Sequence, residues 1–88
     1  MISREPSVTL IIRVARFVKQ NPGCKSTDTY RGVVGDTTRI AKALRELCEA
    51  GIVNRTEDTM PIRHYLAEEI PEQLPQRLRS VAICLESA

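Results

Sequence analysis

The chain has 88 residues, with 13 Lys/Arg, 11 Asp/Glu and one His, for a formal net charge of +2. That length suits one domain with a modest core and leaves little room for a deep catalytic cleft. Trp is absent and Phe17, Tyr30 and Tyr65 are the only aromatic residues, so the core must be aliphatic, and a single-strand binder stacking bases on several rings is disfavoured.

The charge is uneven along the chain. Residues 1–56 hold ten Lys/Arg and five Asp/Glu, a balance of +5, and residues 57–88 hold three and six, a balance of −3. A basic excess confined to one part predicts a polyanionic partner for that part. Cys24, Cys48 and Cys84 are odd in number and far apart, with no Cys-x-x-Cys pair. A disulfide framework is therefore not expected, and a reducing compartment fits best. Arg13 and Arg16 interrupt the first apolar run, so no signal peptide is read there, and no stretch approaches a membrane span. The expected location is cytoplasmic, with no membrane partner.

From Pro6 to Gln20 the pattern predicts a helix. Val8, Ile11, Ile12, Ala15 and Val18 share one face, Leu10, Val14 and Phe17 widen it, and Thr9, Arg13, Arg16 and Gln20 form a narrow polar stripe. So wide an apolar face must meet more than one neighbour. Asn21-Pro22-Gly23 ends the helix. A short second helix, capped by Ser26 or Thr27, runs to about Val34 and buries Tyr30 and Val33 or Val34, with Gly35 turning the chain. Asp36 or Thr37 caps a third helix over residues 36–50 whose apolar face is Ile40, Ala41, Leu44, Leu47 and Cys48, and Gly51 stops it. Strands Val53 to Thr56 and Ile62 to Leu66 form a hairpin around a loop of mostly turn-forming residues. Pro71 and Pro75 punctuate a connector. A final helix then carries Leu74, Leu78, Val81, Ala82 and Leu85 on one side.

Within this order, Leu44-Arg45-Glu46-Leu47-Cys48-Glu49-Ala50-Gly51-Ile52-Val53 resembles the end of the recognition helix in winged helix-turn-helix transcriptional regulators. Ile40, one turn earlier, matches as well, and Arg63-His64-Tyr65-Leu66 is similar to the returning wing strand. The resemblance covers roughly residues 8–67. It departs from the family pattern at Arg31, where an alanine is common, and at Gly35, which lies five rather than six residues before Ile40. It implies a mainly α fold with a small β-hairpin: a three-helix core, a two-stranded wing over residues 53–66, and a C-terminal helix. The expected division is a winged helix-turn-helix domain over 1–70 and a C-terminal dimerisation element over 71–88.

If Ile40, Leu44, Leu47 and Cys48 face the core, then Thr38, Arg39, Lys42, Arg45 and Glu49 face outward. The start of the third helix should then enter the major groove of double-stranded DNA. The expected DNA contacts are Thr37, Thr38, Arg39, Lys42 and Arg45 from this helix, and Arg55, Arg63 and His64 from the wing. Leu74, Leu78, Val81 and Leu85 are expected to pair two copies into a homodimer, with Leu10, Val14 and Phe17 as a second stripe. No metal, cofactor, small-molecule substrate or enzymatic activity is expected. Cys24, Cys48, Cys84 and His64 lack the close ligand pairs of structural zinc, and no glycine-rich phosphate loop occurs. A thiol switch at Cys24, beside Lys25, is a minor alternative. The main alternative is a winged-helix module that binds protein within a larger nucleic-acid-processing complex.

Overall fold

The computed structural model describes residues 6–58 and 60–86. They form helix α1 (Val8–Gln20), helix α2 (Ser26–Gly32), helix α3 (Thr37–Glu49), strand β1 (Val53–Arg55), strand β2 (His64–Leu66) and helix α4 (Gln76–Glu86). The architecture is mainly helical with one antiparallel hairpin.

Helix α1 starts two residues after Pro6 because the Ser7 side chain caps it, accepting from the Leu10 N–H at 3.2 Å. Its expected wide apolar face is present. Leu10, Ile11, Val14, Ala15 and Val18 are buried, while Val8, Ile12 and Phe17 pack at the margin. The width is explained by its neighbours, since α3 and α4 both pack along α1.

Helix α2 is capped neither by Ser26 nor by Thr27. The Asp28 carboxylate instead reaches back and accepts from the Lys25 N–H at 2.9 Å, so the helix begins at Ser26. It ends at Gly32, short of the expected Val34. The Phe17 ring lies directly on Gly32, where an added Cβ would come within 2.0 Å of the ring. Only glycine admits that approach. Val33 then turns into the core, Tyr30 is half-buried, and Val34 is left 84% exposed.

The Asp36 carboxylate caps α3 by accepting from the Thr38 N–H at 3.3 Å. Ile40, Ala43, Leu44 and Leu47 are buried, and Ala41 and Cys48, expected in the core, are half-buried. Gly51 ends the helix with φ +81°, a left-handed conformation that suits glycine, and the Ile52 N–H returns to the Leu47 carbonyl at 3.0 Å.

In the hairpin, Val53 pairs with Leu66, Asn54 with Tyr65 and Arg55 with His64. The strands are shorter than expected, with Thr56, Ile62 and Arg63 outside the ladder. A third stretch joins from far along the chain. Cys24 bridges β2 at His64: the His64 N–H donates to the Cys24 carbonyl, and the Gly23 N–H donates to the His64 carbonyl, both at 2.9 Å. The α1–α2 turn is thereby fastened to the hairpin.

The largest correction concerns the C-terminal helix. Leu74, Leu78, Val81 and Leu85, expected to pair two copies, are buried in the chain's own core together with α1 and α3. Leu10 and Val14 are buried there too. Lys19 of α1 donates to the Leu85 carbonyl at 2.9 Å, and Arg77 bridges from α4 to Glu46 of α3 at 3.2 Å and to the Pro6 carbonyl. The stripe that looked unpartnered is covered by α1. Among the described large apolar residues of α4 only Ile83 is exposed, and a single exposed side chain is ordinary.

Candidate nucleic-acid interface

Burial of Ile40, Ala43, Leu44 and Leu47 forces the opposite side of α3 outward. Thr37, Thr38, Lys42, Arg45 and Glu49 are exposed there, and Arg39 is half-buried. Thr38 and Lys42 are four residues apart and Lys42 and Arg45 three, so these side chains form one stripe along the helix. At the helix start the Asp36 carboxylate already accepts from the Thr38 N–H, so the donors exposed there are the Thr37 and Thr38 hydroxyls.

The hairpin extends the stripe on one side only. A groove of about 650 Å³ runs between α3 and β1, lined by Arg45, Cys48, Glu49 and Val53 to Arg55, with Glu57 at its edge. Arg45 and Arg55 therefore share a surface. Asn54 also lines this groove, a contact the sequence reading missed, because no motif marks an isolated Asn on a strand. The two carboxylates, Glu49 and Glu57, moderate the local field and mark the end of the basic stretch.

Arg63 does not join this surface. It lies outside the three-pair ladder and does not line the α3–β1 groove. Its guanidinium donates to the Gly23 carbonyl at 2.9 Å, on the side where the Tyr65 ring also meets Gly23. Of the two expected arginine contacts of the hairpin, only Arg55 therefore lines the groove with Arg45.

His64 is also corrected. It is only 3% exposed, and its Nδ1 lies 3.1 Å from the Cys24 carbonyl oxygen. It fills the junction of hairpin, α1–α2 turn and core, where no phosphate can reach it. The partner that buries it is 40 residues away in sequence, so local pattern could not reveal this role.

The thiol switch at Cys24 loses its physical basis. Burial, followed by the Asp28 carboxylate, pushes the Cys24 thiol up from its ordinary value. Burial also pushes Cys48 up, with Arg55 opposing and Glu49 adding to the shift. Both thiols are held in the unreactive protonated form. No group of three or more His, Cys, Asp or Glu side chains that could hold a metal occurs among the described residues. No helix among them is long and apolar enough to cross a membrane.

Comparison of the chain with protein-family models, with curated proteins and with solved structures finds no match.

Proposed function

We propose that the chain is a winged helix-turn-helix module that binds double-stranded DNA, as a small transcriptional regulator, with the first half of α3 in the major groove. The observation that carries this reading is the exposed stripe Thr38, Lys42 and Arg45 on α3, continued by Arg55 across one groove. Three further features support it. The element order is helix, helix, helix, hairpin. The Cys24 bridge anchors the hairpin to the turn before α2. The N-terminal end of α3 places the exposed hydroxyls of Thr37 and Thr38 beside the stripe.

In this reading Lys42 and Arg45 reach base edges or phosphates in the groove, and Thr37 and Thr38 hold a phosphate at the helix start. Arg55 contacts the backbone from the wing. In this reading one chain is the binding unit, a choice supported by the burial of Leu74, Leu78, Val81 and Leu85 in its own core. Contacts to about three phosphates, from Lys42, Arg45 and Arg55, give a slope of log affinity against log salt near −3. Fluorescence anisotropy of a labelled random duplex over a salt series tests this. A slope near zero, or no binding at low salt, overturns the reading.

A further inference from the structure

A second basic surface lies along the exposed side of α1 and contains none of the residues assigned to DNA. The exposed stripe of α1 holds Arg13 and Arg16, and the helix contains no acidic residue. Beside the stripe runs a groove of about 580 Å³ between α1 and the end of α2. Phe17, Gly32, Val33 and Val34 form its floor and far wall, Arg13 and Arg16 its rim, and no carboxylate lines it. The floor is shaped by the Phe17 ring seated on Gly32. Val34 stands largely in solvent at its edge. Neither Arg13 nor Arg16 has a hydrogen bond or ion pair to another described residue.

We infer that this groove docks an acidic segment of another protein, with a large apolar side chain seated between Phe17 and Val34 and carboxylates on Arg13 and Arg16. Two arginines at a rim without a counter-charge select an acidic partner. The apolar floor selects a polypeptide over a nucleic-acid backbone, since burying Phe17 and Val34 needs an apolar group opposite them. A two-fold pairing of α1 with itself is disfavoured, because it sets Arg13 and Arg16 against their own copies. The groove shares no residue with the α3–β1 groove, so this inference does not rest on the DNA reading.

The test is selection of random dodecapeptides, displayed on phage, on the full chain, followed by binding of the strongest peptide to variants. The expected consensus has two or more carboxylates flanking a large apolar residue. Its peptide shifts the backbone amide signals of Phe17, Gly32, Val33 and Val34 in the isotope-labelled chain. R13E/R16E weakens it by about tenfold or more while R13K/R16K retains it, and R13E/R16E leaves duplex binding unchanged. Selected peptides without carboxylates, equal binding to R13E/R16E, or shifts mapped elsewhere overturn the inference. So does self-association in sedimentation that R13E/R16E abolishes, which assigns the groove to a second copy's acidic connector. Loss of duplex binding in R13E/R16E as large as in K42E/R45E assigns the groove to DNA instead, and equally overturns it.

Discussion

Replacing Leu78 with Ala separates a helix that belongs to the core from one that joins two copies. Leu78 is 3% exposed within a single chain, in the same cluster as Val81, Leu85 and the buried face of α1. Truncation there removes transfer free energy and leaves a cavity, at a cost of about 2–5 kcal/mol. A domain of 88 residues has a total stability of roughly 4–13 kcal/mol, so the loss is a large fraction of the whole. At about 4–8 °C per kcal/mol for a domain of this size, a mid-range loss lowers the melting temperature by roughly 14–28 °C. Ile83 is 65% exposed on the same helix, and Ile83→Ala should stay within about 0.5 kcal/mol of the parent. Circular dichroism melts at several protein concentrations read the effect. The account requires a large loss for Leu78→Ala that does not depend on concentration, and a chain ending at Ile70 that is strongly destabilised or unfolded. Equal melts for Leu78→Ala and Ile83→Ala, or a fully stable chain ending at Ile70, would refute it.

Gly32→Ala should destabilise by about 1–3 kcal/mol despite alanine's better helix propensity, because its Cβ meets the Phe17 ring; pairing it with Phe17→Leu should recover part of the loss in denaturant titrations. His64→Ala should cost about 1–3 kcal/mol by emptying a buried polar position, without the specific loss of duplex affinity that a phosphate contact would give. Arg63→Ala should leave duplex affinity nearly unchanged, whereas Arg45→Ala should weaken it, as gel-shift titrations would report. Cys24 and Cys48 should react with iodoacetamide near pH 8 more slowly in the folded chain than in denaturant. Their folded pKa values are raised, so the folded state holds their protons longer than the unfolded one. The stability from these thiols is therefore complete below the ordinary thiol value of 9.0 and is lost as pH rises above it through the folded pKa.

Helices α1 and α3 were legible because their apolar residues recur at helical spacing, and Gly51 could be placed because a helix stop with positive φ needs glycine. The need for glycine at position 32 was not legible, since the Phe17 ring that occupies the space of its side chain lies fifteen positions earlier along the chain. The last helix was readable as amphipathic, but an apolar stripe looks the same whether its partner is another copy or the first helix of the same chain. The hairpin residues were misread for a related reason. Whether Arg55 and Arg63 share a face depends on register, and register depends on pairing that a single strand does not display. His64 was misplaced because Cys24, which buries it, belongs to a distant turn. What the sequence carried well was the exposed side of α3, which follows from helical period alone.

The most direct test of the central claim compares duplex affinity of the parent chain, K42E/R45E and R13E/R16E at one low salt concentration, with folding checked by thermal melts. The account predicts melts close to the parent for both variants, duplex affinity at least about tenfold weaker for K42E/R45E, and affinity close to the parent for R13E/R16E. Equal duplex affinity for the parent and K42E/R45E would contradict it.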